Sequence, residues 1–178
     1  EDEGLSRLDT AADADTPTAV VVGYGPVGQT LTRLLRDFQI DPVVIDLNVD
    51  TVRRLRAEGR RAIYGDASRA EILQAARTDA AQFLLVTLPD ESARLPIVAM
   101  ARTLKPDLTI LVRAHYMSER AALEDSGVAA VAYEEAEVAV ALADLLLRHI
   151  GAPDHDVRTR AAAVRAELAM GPRQDPSA

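Results

Sequence analysis

The chain has 178 residues, 48% of them hydrophobic and 27% charged, a composition that suits one packed soluble domain. It has no cysteine, which excludes disulfides, thiol nucleophiles and cysteine-ligated metals. The net charge of −8 comes without any basic patch, so nucleic acid is not expected as a partner.

Residues 1–17 read as an acidic, flexible linker: Glu1, Asp2, Glu3, Asp9, Asp13 and Asp15 face only Arg7, and no apolar periodicity is present. The first residue is not Met, as expected of a segment cut from a longer protein, and no signal-peptide pattern follows it. From residue 19 to about 150, strand-like runs alternate with helical ones. "AVVVG" (19–23), "PVVIDL" (42–47), "RAIYG" (61–65), "AQFLLVTL" (81–88), "TILVRA" (109–114) and "VAAVAY" (128–133) predict six strands, mostly continuous apolar runs of the kind a doubly covered parallel sheet needs.

The first helix, Pro26 to Phe38, would turn Val27, Leu31, Leu34, Leu35 and Phe38 inward. The second buries Val49, Val52 and Leu55 and stops at Gly59. Ser68 and Glu71 have the spacing of a capping box at the start of the third. The fourth lies between Asp90 and Leu104 and contains Pro96, which predicts a kink or a late start. The fifth runs from Ser118 to Ser126, and the sixth from about Glu135 to Ile150. An amphipathic piece over 157–170 precedes a polar tail. The longest nearly apolar stretch, 138–147, is broken by Asp144 and is shorter than the roughly 18 residues of a membrane span. Strict alternation predicts a Rossmann-type α/β fold, a six-stranded parallel sheet in the order 3-2-1-4-5-6, with the domain over 18–151 and a C-terminal helix and tail over 152–178.

The first strand runs into Gly23-x-Gly25-x-x-Gly28. Gly23 would let the chain turn, Gly25 would let backbone approach a phosphate, and Gly28 would let helix pack on strand. The helix N-terminus then suits an anion, and Pro26 fits its first turn because the missing N–H has no intrahelical partner there. A tight strand-to-helix turn would carry the same glycines. Asp46 ends the second strand 23 residues after Gly23, where an acid can bind ribose hydroxyls and repel a 2′-phosphate, disfavouring NADP. It could equally be a helix N-terminal acid. Asp66, Thr87 and Arg113 close further strands on the same rim. His115 is the one candidate catalytic acid near it, and a loop or interface role suits it better. His149 and His155 have no third ligand at metal spacing, so no metal site is expected.

"VVVGYGPVGQTLTRLL", "VVIDLN", "AIYGDAS", "FLLVTLPD" and "ILVRAH" together resemble the RCK domain, also called TrkA-N or KTN, over roughly residues 18–150. The nearest likeness is to the C-terminal domains of Kef-type monovalent cation/proton antiporters, since the chain is too short for the second lobe of many channel members. The resemblance implies a homodimer on the cytoplasmic side of a membrane, gating a transport domain rather than catalysing a reaction. It implies binding of AMP, ADP, ATP or NAD(H). By position, Gly23, Tyr24, Gly25, Pro26, Val27 and Gly28 would form the phosphate loop. Asp46, Leu47 and Asn48 would hold the ribose, and Asp66, Ala67 and Ser68 would border the adenine. Thr87, Leu88 and Pro89 would close the pocket, with Arg113 reaching a phosphate or a neighbouring subunit. Many members carry Arg where Pro26 stands; Pro26 offers a diphosphate no charge, which shifts the expectation toward AMP.

The last helix points to dimerisation independently: Val138, Leu142, Leu145, Leu146 and Ile150 form one apolar face, with Val140 and Leu147 off it. Three rival readings remain at this point. One is a small NAD-dependent oxidoreductase using His115 or Tyr116; another is an RCK subunit of a potassium channel or uptake system. An interaction module with an empty pocket is a third.

Overall fold

A computed structural model describes Gly4 and residues 18–170; the expected polar tail, and the linker apart from Gly4, lie outside them. The strands are β1 (Thr18–Val22), β2 (Asp41–Asp46), β3 (Ala62–Tyr64), β4 (Phe83–Val86), β5 (Thr109–Ala114) and β6 (Ala130–Tyr133). The helices are α1 (Pro26–Asp37), α2 (Val49–Ala57), α3 (Ala70–Ala75), α4 (Glu91–Leu104), α5 (Arg120–Asp125), α6 (Glu134–His149) and α7 (Asp154–Met170). All six predicted strands are present, in one parallel sheet of order β3-β2-β1-β4-β5-β6. Val22 sits opposite Ile45 on one side and Val86 on the other. The chain therefore winds outward from β1 to β3, returns to the centre at β4, and winds outward again. That reversal between β1 and β4 is the switch point, where the strand ends open a crevice.

β1, β2 and β4 are buried almost throughout, as continuous apolar runs predict. β5 behaves differently: Ile110, Val112 and Ala114 are buried while Thr109, Leu111 and Arg113 are half-buried, the alternation of a strand covered on one face.

α1 departs from its helical-wheel expectation. Its wholly buried residues are Gly28 and Thr32, with Leu31 and Leu35 half-buried, while Val27, Leu34 and Phe38 are exposed. The cause is close approach. A Cβ on Gly28 would lie 2.0 Å from the Gly23 carbonyl oxygen, so the helix rests on the loop almost backbone to backbone. Large side chains cannot fit beneath it and are displaced to its flank.

Two other expectations are corrected, the capping box of the third helix and the late start of the fourth. α3 begins at Ala70 with no side-chain cap, because Ser68 is held in the preceding turn, its N–H donating to Asp66 Oδ1 at 2.9 Å. α4 runs through Pro96 from Glu91, starting on a cap in which Asp90 accepts from the Ser92 N–H. The ring costs one intrahelical bond, and Ser92 and Pro96 both lie on the exposed side, where water can serve the freed carbonyl.

The chain divides into two compact units, Glu1–Arg113 with Ala121–Val131, and Ala114–Arg120 with Ala132–Ala178. In the second, α6 packs on α7, and each helix has one buried valine, Val140 and Val157. Arg165 pairs with Glu137 at 2.8 Å, and Arg148 bridges Asp144 and Asp154 at 2.8 and 2.9 Å. Val138, Leu142, Leu145, Leu146 and Ile150 remain more than half exposed, on the face the sequence singled out.

Candidate nucleotide site

The loop after β1 is built for a tight turn. Gly23 has φ of +94°, and its N–H donates to the Ile45 carbonyl at 2.8 Å, so the turn is sewn to the end of β2. Asp46 completes the stitching. Its Oδ2 accepts the Tyr24 N–H and its Oδ1 accepts the Asn48 N–H, each at 2.7 Å. Asn48 in turn caps α2 by accepting from the N–H groups of Asp50 and Thr51. One carboxylate thus fixes both loops of the rim while each oxygen keeps a further acceptor site.

Thr87 is buried at the end of β4, and its hydroxyl lies within hydrogen-bond distance of the carbonyls of Val22 (2.9 Å) and Gly23 (3.0 Å). It ties the two central strands together across the switch point. Arg113 donates to the Thr87 carbonyl at 3.2 Å. The loop after β4 is held by Arg94, wholly buried on α4, which donates to the Pro89 carbonyl at 2.8 Å.

Beyond the strand ends lies a cavity of about 300 Å³. It brings together Asp46, Leu47, Asp66, Ala67, Ser68 and Leu88 from the sequence prediction. Gly23 to Gly28, Asn48, Thr87, Pro89 and Arg113 do not line it. Asp90, Ser92 and Pro96, from the first turns of α4, also line it. The sequence marked Asp90 as a helix start and Pro96 as a break, and gave no sign that either reaches the rim of β2 and β3.

Asp46, Asp66 and Asp90 face the cavity and no lysine or arginine does. Hydrogen bonds from the Ser68 N–H and hydroxyl lower the Asp66 carboxyl from its ordinary value. Three carboxylates suit a ligand part that is uncharged and rich in donors, such as ribose hydroxyls and an exocyclic amine. A phosphate is repelled from the cavity. It fits instead at the start of α1, where first-turn N–H groups have no intrahelical partner. Gly25, the cap of that helix, has open space at its Cβ position: nothing lies within 4 Å. The residues present therefore fit an adenosine with its phosphate on the loop.

His115 sits in the second unit. Its Nδ1 lies 3.0 Å from Glu134, and its N–H, like that of Tyr116, donates to Glu119 at 2.9 Å. Among the described residues no helix is long and apolar enough to cross a membrane.

Three relatives frame this geometry. YbaL of Escherichia coli (strain K12), which carries a cation/proton antiporter name, is 39% identical over 128 residues, 72% of this chain and 23% of its own length. The solved TrkA-N domain of that inner membrane protein superposes with a TM-score of 0.70, covering 74% of this chain and 97% of the domain. The glutathione-regulated potassium-efflux protein KefC of Cronobacter sakazakii is 30% identical over 149 residues, 84% of this chain and 24% of its own length. The AMP-bound C-terminal domain of Kef from Shewanella denitrificans, 26% identical, superposes with a TM-score of 0.74 over 86% of this chain and 98% of that one. The chain thus spans about a quarter of the length of the whole relatives it matches. The TrkA-N domain match covers residues 19–134, from β1 to the start of α6, and so includes every strand of the switch-point sheet: the chain belongs to the TrkA-N, or RCK, domain family.

Proposed function

We propose that this domain is the nucleotide-sensing regulatory part of a monovalent cation/proton antiporter, acting as a homodimer on the cytoplasmic side of the membrane. It is read as a sensor and not as an enzyme. The observation that carries the reading is the switch-point cavity whose charged lining residues are all aspartates, set beside a helix N-terminus whose capping glycine leaves room for a phosphate. The relatives give it context, since they bear potassium-efflux and cation/proton antiporter names and one is AMP-bound. The mechanism is differential affinity: a nucleotide that prefers one arrangement of the dimer shifts the population, and the transport domain reads that shift.

Thermal shift of the purified domain against AMP, ADP, ATP, NAD⁺, NADH and NADPH tests the reading. A ligand at a hundredfold excess over its Kd adds about 2.7 kcal/mol, or roughly 5–10 °C for a domain of this size. Shifts with adenine nucleotides or NAD(H) and none with NADPH are expected; no shift with any of them removes the sensor function. Asp46→Ala should weaken whichever ligand binds by about 1.5–3 kcal/mol, the usual worth of hydrogen bonds to a charged group. Unchanged affinity by calorimetry would take the ribose role away from Asp46.

The exposed α6 face supports the dimer, because five large apolar side chains in one stripe need a cover. Leu145→Glu puts a charge in that stripe and is expected to convert a dimer to a monomer in analytical ultracentrifugation. A variant that sediments as the parent does would separate α6 from assembly.

A further inference from the structure

A second cleft lies along α1, in the unit that holds the first cavity, with a volume of about 520 Å³. Arg33, Arg36 and Arg60 line it, with Asp37 as the one acid. On a chain of net charge −8, three guanidiniums around one cleft are a local arrangement and not a general basicity. Arg60 is partly engaged: its Nη1 donates to the Tyr24 hydroxyl at 2.7 Å, and its Nε lies 3.1 Å from Glu58. The side chains of Arg33 and Arg36 are exposed and make no hydrogen bond or ion pair with any described residue.

Tyr24 joins the cleft to the first cavity. Its N–H is held by Asp46 at 2.7 Å, while its hydroxyl accepts from Arg60 in the cleft. Pro26, at the start of α1, also lines the cleft. The cleft therefore begins where a phosphate on the loop would end. Arg33 lies seven residues along α1, about 10 Å at 1.5 Å per residue. Helix side chains lean toward the N-terminus, which carries its guanidinium back toward Pro26. Electrostatics favours the same path, because a phosphate chain leaving the ribose moves away from Asp46, Asp66 and Asp90 and toward the arginines.

We propose that this cleft is a polyphosphate site, seating the distal phosphates of a nucleoside di- or triphosphate whose adenosine occupies the cavity at Asp46. The inference rests on the nucleotide reading of that cavity. It supplies from Arg33, Arg36 and Arg60 the charge that Pro26 does not, and it makes ADP or ATP, not AMP, the tighter ligand. Guanidinium groups suit the task because their donor forks match phosphate oxygens in pairs.

Calorimetry on the domain with AMP, ADP, ATP and inorganic pyrophosphate tests it, using the parent and the double variant Arg33→Gln, Arg36→Gln. Both positions are exposed and without partners among the described residues, so the variant is expected to fold. The parent should bind ADP and ATP about tenfold or more tighter than AMP, as one added charge-assisted contact implies. The double variant should lose most of that advantage with its AMP affinity unchanged. Equal affinity for all three nucleotides in the parent, or an equal loss for all three in the variant, overturns the proposal. If none of the three nucleotides binds, the nucleotide reading fails, and pyrophosphate then decides the cleft alone. Pyrophosphate binding that disappears in the variant upholds a polyphosphate site, and no binding overturns it.

Discussion

Gly28→Ala is expected to destabilise the domain by about 3 kcal/mol or more, the upper range for forcing extra atoms into a packed site. The added Cβ would lie 2.0 Å from the Gly23 carbonyl oxygen, 3.0 Å from the Gly23 carbonyl carbon and 3.2 Å from the Thr87 hydroxyl. Two of these atoms are backbone, in a turn sewn to β2 and β4, so neither can swing aside. Relief requires lifting α1 off the sheet by more than an ångström, and Thr32, buried beside Gly28, is lifted with it. Domains of this kind are stable by only about 5–15 kcal/mol in total. Urea denaturation checks the expectation; a midpoint equal to that of the parent would mean the loop and helix are not packed as described.

Gly25→Val is expected to do the opposite: abolish nucleotide binding while leaving the fold standing. Gly25 has an extended backbone that any residue adopts, with φ of −69°, and nothing lies within 4 Å of its Cβ position. The stability change should therefore stay within about 0.5 kcal/mol, as for substitutions away from packed features. The same empty space is where a phosphate must approach the first-turn N–H groups of α1, and two γ-methyl groups would occupy it. Calorimetry beside denaturation reads both halves. A variant that binds AMP or ADP as tightly as the parent would show that the glycine pattern is architecture alone. The two glycines, three residues apart, are thus separable by experiment into one that serves packing and one that serves approach.

β1, β2 and β4 were legible because they are buried on both faces, which leaves uninterrupted apolar runs. Asp46 was legible as a rim residue because it closes such a run. The packing of α1 was not. A helical wheel counts apolar positions and takes their mean direction as inward, without knowing how near the helix approaches; here Gly28 and Thr32 face the sheet and the larger residues flank them. Burial of Arg94 was hidden for a related reason, since its carbonyl partner on Pro89 belongs to a loop whose path only the fold defines. Asp90, Ser92 and Pro96 reach the cavity through the juxtaposition of α4 with β2 and β3, a relation no local pattern encodes. The Ser68–Glu71 spacing misled because Asp66 competes for the same turn: its carboxylate takes the Ser68 N–H and moves the helix start to Ala70.

The pairing of β1 with β4 also sets when the site can exist. Val22 meets Val86, and Thr87 bonds back to the Val22 and Gly23 carbonyls across about 65 residues of chain. The segment from β1 to β3 pairs between near neighbours and can assemble early, whereas closing the centre of the sheet waits on a long loop whose entropy must be met before its contacts form. During synthesis the first glycines and Asp46 emerge well before β4, so for a time the candidate site has only one wall. A nucleotide could not rescue such a half-built chain. It can act only after the slowest closure is complete, so ligand should slow unfolding of the finished domain without hastening its folding.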